Sequence, residues 1–283
     1  MLHSFLGPIG ALRLVASEGV NTVKSYALFA AICASIISAP VLAIAVRHDV
    51  DDSAFIELAQ RFPAVAAVRC ADGSCGLGAE STLIDPRWLL TAAHVAATLK
   101  RGDPAEIGGA VYPIERVVLY PDWHGEADIR VDVALVELAW PVTGIAPAKV
   151  YDGMDEVGMV AFFVGRGGTG TGLTGYVSED GRIRAATNRV ESVINDSMLR
   201  FRFDAPGDPD VTELEGISGP GDSGGPAFVE RNGTVYVIGV GVGQNAAPAN
   251  GQRGHYQVLE LYTRVSAFAG WIRSTLAGIE TPD

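Results

Sequence analysis

The sequence predicts an all-β protein made of antiparallel strands, arranged as a barrel or a sandwich. Short apolar runs recur between residues 64 and 265, and turn residues such as Asp-Pro at 85–86 and Asn-Gly at 232–233 separate them. Glycine is abundant, with 34 residues in a chain of 283, and helical periodicity is rare. Many short strands joined by tight turns are typical of closed or face-packed antiparallel sheets.

The predicted elements follow the apolar runs in order. The strands cover residues 64–68, 81–84, 88–90, 114–119, 133–138, 157–164, 190–194, 198–203, 227–229, 235–242 and 257–265. A helix is predicted over residues 266–276, because Ser266 can cap it and Phe268 and Ile272 recur at helical spacing. Residues 147–153 are interpreted as a crossing segment between two parts of the chain.

Residues 1–43 are predicted to be a secretory signal peptide. No charged residue occurs from Tyr26 to Val46, Lys24 precedes this stretch, and alanines at 39, 43 and 45 suit a signal peptidase. An uncleaved membrane anchor is an alternative, because the stretch is long enough to span a bilayer; a misassigned start codon is another. We expect a secreted or periplasmic protein that contacts a membrane only if this segment is uncleaved.

The composition excludes several classes of protein. The 21 basic residues against 33 acidic ones give a net charge of −12, which argues against nucleic acid as a partner. Three cysteines are too few for a disulfide-dense scaffold or a four-cysteine zinc site. Without the signal segment only Cys70 and Cys75 remain, and we expect them to pair across a hairpin tip in an oxidising compartment. The five histidines are scattered and form no H-E-x-x-H motif, so we expect no metal.

Three segments carry residues of catalytic type. Residues 89–94, LLTAAH, lead an apolar strand into His94. Residues 132–138, DVALVEL, put Asp132 at the start of an apolar strand, where a carboxylate could orient a histidine; Asp128 is a weaker candidate. Residues 219–226, GPGDSGGP, surround Ser223 with glycines, and such a bend can aim the amides of Gly221 and Ser223 at one point.

Together these motifs resemble the three signatures of the chymotrypsin/trypsin family of serine proteases, in that family's order. Residues 262–265, YTRV, before the last helix match as well. The resemblance implies two six-stranded antiparallel β-barrels, over residues 44–148 and 149–283, with the active site in the cleft between them. It also implies that His94 is the general base, Asp132 its orienting partner and Ser223 the nucleophile, with an oxyanion hole formed by the amides of Gly221 and Ser223.

The resemblance implies a monomeric serine endopeptidase that acts on protein or peptide substrates and needs no cofactor. Two other function classes stay open. A catalytically inactive, protease-like binding module would be indicated by loss of a triad residue, and none is lost. An α/β-hydrolase shares the G-x-S-x-G pattern of residues 221–225, but that fold needs a helix directly after the serine and a different order of the three residues.

A specificity pocket also follows from the resemblance. Ile217, six residues before the serine, and Glu260 match positions at the pocket floor. Val242 belongs to residues 239–244, which replace the family's usual Ser-Trp-Gly wall. A carboxylate at Glu260 could receive an arginine or lysine of the substrate, and we expect a basic or dual preference; alternatively, Glu260 points aside and pairs with a nearby arginine of this chain.

The family's activation device has a candidate pair in this sequence. Members bury a new N-terminal ammonium against the aspartate before the serine, which here is Asp222. Signal-peptidase cuts after Ala43 or Ala45 would expose Ile44 or Val46, and we expect Ile44 to pair with Asp222. Secretion itself would then create the activating amine.

Overall fold

A computed structural model of the chain describes residues 44–75, 78–125, 128–178 and 180–278. The predicted signal segment, residues 1–43, lies outside the described residues. No helix in the described ranges is long and apolar enough to cross a membrane.

Six antiparallel strands close a barrel in the first part of the chain. After the short strand β1 (Ala45–Val46), the barrel strands are β2 (Val65–Val68), β3 (Ala79–Asp85), β4 (Trp88–Thr91), β5 (Pro104–Ile107), β6 (Ala110–Leu119) and β7 (Ala134–Leu138). The barrel closes in the order β2-β3-β4-β7-β6-β5. Leu83, Leu89 and Leu135 are fully buried apolar side chains of these strands. The predicted all-β class with a closed barrel is confirmed.

The second part of the chain forms two further sheets. Its strands are β8 (Lys149–Val150), β9 (Val160–Gly165), β10 (Thr169–Thr171), β11 (Gly175–Ser178), β12 (Arg184–Arg189), β13 (Ser192–Ile194), β14 (Met198–Arg202), β15 (Gly216–Ile217), β16 (Pro226–Arg231), β17 (Thr234–Asn245) and β18 (Leu259–Arg264). One sheet runs β12-β9-β16-β17-β18-β14-β13, with β8 parallel to β17. The other runs β11-β10-β1-β15.

The beginning of the described chain packs within this second part. β1 pairs parallel to β10 and antiparallel to β15, so Ala45 lies between Gly170 and Ile217. The division into residues 44–148 and 149–283 stays a prediction, with the addition that β1 belongs to a sheet of the later strands.

Three helices complete the described structure: α1 (Asp52–Ala59), α2 (Ala93–Ala96) and α3 (Val265–Leu276). The predicted C-terminal helix is confirmed as α3, and the ring of Tyr120 makes edge contacts with Phe268 and Trp271 on it. Helix α1 was not predicted. The carboxylate of Asp51 caps it by accepting the backbone N–H of Ser53 at 2.9 Å.

The two parts share one large apolar core. This cluster includes Leu89 and Leu135 of the first barrel together with Phe228 and Val237 of the second part and Phe268 of α3. Since buried apolar area is the main favourable term in folding, the shared core holds the seam between the two parts in place. The functional candidates lie along this seam.

The predicted disulfide is present. Cys70 and Cys75 are bonded, with their Cα atoms 5.4 Å apart, and they close the hairpin tip that follows β2.

Candidate active site

His94 and Asp132 form a close pair at the edge of the first barrel. His94 stands on α2, directly after the turn that ends β4, and Asp132 immediately follows the 3₁₀ turn Ile129–Val131. Nδ1 of His94 lies 2.6 Å from Oδ2 of Asp132, and the backbone N–H of His94 donates to Oδ1 at 2.8 Å. The aspartate therefore holds the histidine through both its ring and its backbone.

Asp132, rather than Asp128, faces the histidine. The side chain of Asp132 is buried, and its backbone carbonyl accepts a hydrogen bond at 2.8 Å from the hydroxyl of Thr263 on β18. Asp128 instead contacts the exposed Arg130. The strand that supports Asp132 comes from the second part of the chain, so the orienting carboxylate depends on contact across the seam.

Ser223 lies on a turn between β15 and β16 that both parts of the chain anchor. Its backbone carbonyl accepts the N–H of Glu80 on β3 at 2.9 Å, while the N–H of Gly224 donates to the carbonyl of Gly241 on β17 at 2.8 Å. Ser223 and His94 line the same cavity. The fold thus brings the three candidate catalytic residues to one place.

A backbone hydrogen bond fixes the peptide group before Gly221. The carbonyl of Pro220 accepts the N–H of Gly168, and because a trans peptide is planar, the N–H of Gly221 points the opposite way. Neither that N–H nor the one of Ser223 donates to a described residue. Glycine is needed at two positions: Gly221 has φ +96°, and a Cβ on Gly167 would lie 2.4 Å from the Pro220 carbonyl oxygen.

Asp222, next to the serine, points into the protein interior. Its carboxyl group accepts the N–H of Gly167 and of Gly219, each at 2.7 Å, and the backbone N–H of Ile44 faces it and lowers its pKa. Burial raises the pKa of Asp222 to about 6, although these backbone donors lower it. Ile44 is fully buried, with φ +57°.

Glu260 lies at the bottom of a small pocket beside Ser223, and Val242 lines the same pocket. The hydroxyl of Ser218 donates to one carboxyl oxygen of Glu260, and the amide of Gln244 donates to the other at 3.1 Å. These partners are neutral, so the carboxyl group forms no ion pair with a described residue. Burial raises the pKa of Glu260 to about 8.

Ile217 does not line this pocket. Consecutive residues of an extended chain point to opposite sides, and here Ser218 faces the pocket. Ile217 packs instead in an apolar cluster with Ala45, Phe203 and Val258.

The sequence reasoning missed two charged residues beside the serine turn. Glu80 is buried on β3, and Arg166 lies in the loop between β9 and β10; Nε of Arg166 is 3.6 Å from Oε1 of Glu80. One signal could have indicated Glu80, namely a glutamate within a strand whose other inner positions are small or apolar. Arg166 could have been noticed as the charged residue among the glycines of residues 165–168.

A serine turn at the seam of a closed β-barrel and a second β part, facing a histidine, is the architecture of the serine proteases. The family model described as trypsin matches residues 58–272, and the chain belongs to the trypsin family.

Two similar proteins illustrate the range of the family. Testisin of Homo sapiens is 29% identical over 265 residues, which cover 79% of this chain and 77% of testisin. Ovochymase of Halocynthia roretzi is 26% identical over 98 residues, which cover 31% of this chain and only 6% of ovochymase.

Proposed function

We propose that the protein is a serine endopeptidase, secreted or periplasmic, in which Ser223, His94 and Asp132 act as a catalytic triad. The observation that carries the proposal is the 2.6 Å contact between His94 and Asp132 in a cavity that His94 shares with Ser223. The signal-like segment and the disulfide support an extracytoplasmic location. Protein or peptide substrates, a monomeric state and independence of any cofactor belong to the same proposal.

The proposed reaction is acyl transfer through a covalent intermediate. Asp132 keeps the proton on Nδ1 of His94, so that Nε2 can accept the proton of the Ser223 hydroxyl as its oxygen attacks the peptide carbonyl carbon. The N–H groups of Gly221 and Ser223 stabilise the negative oxygen of the tetrahedral intermediate. His94 then returns the proton to the leaving amine, and water hydrolyses the acyl-enzyme by the same steps.

We also propose that cleavage after Ala43 activates the enzyme. The N–H of Ile44 already contacts Asp222, whereas Val46 pairs with Thr171 and Gly216 in a sheet, so the cut after Ala45 is less suitable. A β-branched residue strongly avoids positive φ. Cleavage removes the residue that defines φ of Ile44 and turns its N–H into an ammonium, which supplies the cation that a buried carboxylate requires.

The residues that follow β1 are compatible with a buried Ile44. The guanidinium of Arg47 binds Asp49 at 2.7 and 2.8 Å and the carbonyl of Thr212 at 2.9 Å. The ring of His48 contacts the Tyr256 hydroxyl at 2.7 Å. These polar groups therefore have partners of their own close to the end of β1.

For specificity, we propose that Glu260 receives a lysine or arginine side chain of the substrate. A buried carboxyl group whose only partners are neutral gains most from a cation that arrives with the substrate. Val242 lines this pocket, whose volume is about 90 Å³, so an unbranched side chain fits it best. Because burial favours the neutral acid, the same pocket accepts uncharged side chains at lower pH, which amounts to a dual preference.

A serine-directed fluorophosphonate, followed by peptide mass spectrometry, tests the triad. We expect one adduct, on Ser223, in protein that begins at Ile44. We expect no adduct in Ser223→Ala or His94→Ala, and an unchanged adduct in the control Ser274→Ala, which alters a half-buried serine on α3. Mature protein that forms no adduct and cleaves no peptide would instead be a binding module.

A further inference from the structure

Besides the Glu260 pocket and the cavity shared by His94 and Ser223, another cavity borders the serine turn, and the first barrel contributes most of its lining. The Glu260 pocket is lined only by residues of the second part of the chain. The other cavity has a volume of about 370 Å³, within the range of ligand sites. Its lining includes Val68 and Glu80 of the first barrel, with Arg166 and Gly221. We call it the Arg166 cavity.

The positive charge of Arg166 is only partly balanced. Its side chain keeps 26% of its surface exposed, and its one acidic partner within 4 Å among the described residues is Glu80. Arg69, also at this cavity, is bound to Glu106 at 2.8 Å. Arg166 donates no side-chain hydrogen bond to a described residue, so its planar fork of N–H groups is open to a ligand.

Glu80 is held in a position where it is a weak counter-ion. Only 1% of it is exposed, Oε1 accepts the backbone N–H of Arg166 at 3.2 Å, and Oε2 has no hydrogen-bond partner. Burial raises the pKa of Glu80 to about 8; Asp222 acts in the same direction, and Arg166 and Arg69 oppose it. At neutral pH the carboxyl group is therefore mostly protonated, and the guanidinium faces the cavity without an anion.

The position of the cavity relative to Ser223 identifies the part of the substrate that reaches it. The residue before the scissile bond enters the Glu260 pocket, on the side of the second part. Gly221 lines the Arg166 cavity, and Glu80, another lining residue, donates its backbone N–H to the Ser223 carbonyl at 2.9 Å, so the cavity borders the serine turn on the side of the first barrel.

We propose that the Arg166 cavity binds the leaving-group side of the substrate and that Arg166 selects a carboxylate there. The proposal rests on the protease function proposed above. An aspartate or glutamate shortly after the scissile bond, or the C-terminal carboxylate of a substrate cut near its end, supplies the same chemistry. Arginine binds either through two parallel N–H···O contacts.

Internally quenched peptides that share one sequence before the scissile bond test this proposal. They carry Glu or Gln at the second position after the bond, and each is made with a free and with an amidated C-terminus. We expect the carboxylate to raise kcat/KM at pH 7 at least about tenfold, the size of one hydrogen bond to a charged group. A higher kcat/KM for Glu than for Gln identifies a side-chain carboxylate as the ligand, and a higher kcat/KM for the free than for the amidated C-terminus identifies the terminal carboxylate.

For each variant we compare kcat/KM with and without the carboxylate. Because this ratio is taken within one enzyme, a general loss of activity cancels. Arg166→Gln should bring the ratio to one, and Arg166→Lys, which keeps the charge without the fork, should keep an intermediate ratio. Arg101→Gln, which alters an exposed arginine paired with Glu115, should leave it unchanged.

Two results separate this proposal from the protease function itself. A peptidyl p-nitroanilide has no residue after the scissile bond, so wild-type protein that leaves it intact contradicts the protease function. Suppose that this substrate is cleaved. The Arg166 assignment is then wrong if neither the Glu side chain nor the free C-terminus raises kcat/KM, or if the increase is still present in Arg166→Gln.

Discussion

The backbone N–H of Ile44 faces the buried carboxyl group of Asp222, the residue before Ser223, and lowers the pKa of that group. This contact joins the beginning of the described chain to the serine turn. The same carboxyl group binds Gly167 and Gly219, whose loops flank the peptide before Gly221. The charge on the Ile44 nitrogen should therefore affect whether the proposed oxyanion hole is ordered.

The first prediction concerns this amine. N-terminal sequencing of secreted protein should begin at Ile44. After residue 43 the chain contains only two lysines, so the variant Lys100→Arg/Lys149→Arg leaves the α-amine as the only primary amine for acetylation. Acetylation of that variant should abolish peptide hydrolysis, as should Asp222→Asn, whereas Asp210→Asn should have no effect.

The pH dependence of the amine has a defined sign. A free α-amino group titrates near pH 8, and pairing with Asp222 raises this pKa, so activity is present below it and lost as pH rises above it. Full activity of the acetylated variant, or of protein that begins well before Ile44, would disprove the activation pair.

The second prediction concerns the triad. Ser223→Ala or His94→Ala should lower kcat by about 10⁶, and Asp132→Asn by about 10⁴, because the three residues act as one unit. For the same reason the double variant Ser223→Ala/His94→Ala should lose little more than either single variant. His124→Ala, at an exposed histidine, is the control. A tenth of the wild-type kcat in Ser223→Ala would contradict the assignment.

The third prediction concerns Glu260. Its raised pKa, about 8, means that the carboxyl group is mostly neutral below this pH and charged above it. The ratio of kcat/KM for a lysine substrate to that for its glutamine analogue should therefore rise between about pH 7 and 9. Because it is a ratio, pH effects that are common to both substrates cancel.

The groups that face Glu260 define the controls for this profile. They are the Ser218 hydroxyl, the Gln244 amide and the ring of Tyr176, with Asp222 raising and Arg253 lowering its pKa. Glu260→Gln should make the ratio independent of pH and lower it at pH 9, whereas Arg253→Gln should shift the rise to higher pH. If the ratio does not change with pH in the wild-type protein, Glu260 does not bind the substrate.

The fourth prediction concerns stability. The folded pKa of Glu80, about 8, lies above the ordinary value of 4.5, so its contribution to stability is complete below about pH 4.5 and is lost as pH rises through 8. In a Ser223→Ala background, which prevents self-digestion, Glu80→Gln should unfold at least about 3 °C higher than the parent at pH 9.

At pH 4 the two proteins should unfold within about 1 °C of each other, because the Glu80 carboxyl group is then mostly neutral in both the folded and the unfolded state. Glu57→Gln, the control, changes an exposed glutamate of α1 and should leave the unfolding temperature unchanged at both pH values. Thermal unfolding followed by circular dichroism provides the comparison. A Glu80→Gln variant that is less stable than the parent at pH 9 would show that the carboxylate is stabilising.

The sequence alone predicted the parts of this protein that are encoded locally. Each of the segments that carry His94, Asp132 and Ser223 is contiguous, with small residues before His94, an apolar strand after Asp132 and glycines around Ser223. The Cys70–Cys75 bridge closes a loop of adjacent residues. The periodicity of residues 266–276 likewise predicted α3. By contrast β12, with the sequence RAATNR, has no apolar alternation.

Strand β12 is buried because of partners that are distant in sequence. Arg184 binds Asp52 of α1 at 2.6 Å, and the amide of Asn188 donates to the carbonyls of Arg202 and Gly216. A polar strand can enter the interior only when such partners satisfy it. The sequence of β12 by itself does not indicate these partners.

The tertiary structure also decided which charges meet around Ser223. Glu80 and Arg166 lie on different parts of the chain, and only the closure of β3 against the serine turn brings them together. Likewise, the sequence placed both Ile217 and Glu260 at the pocket floor, but only Glu260 lines the pocket, because Ile217 packs in an apolar cluster. Periodicity reports whether a position is buried, but the identity of its neighbours depends on how the strands pair, and that pairing is a property of the whole fold.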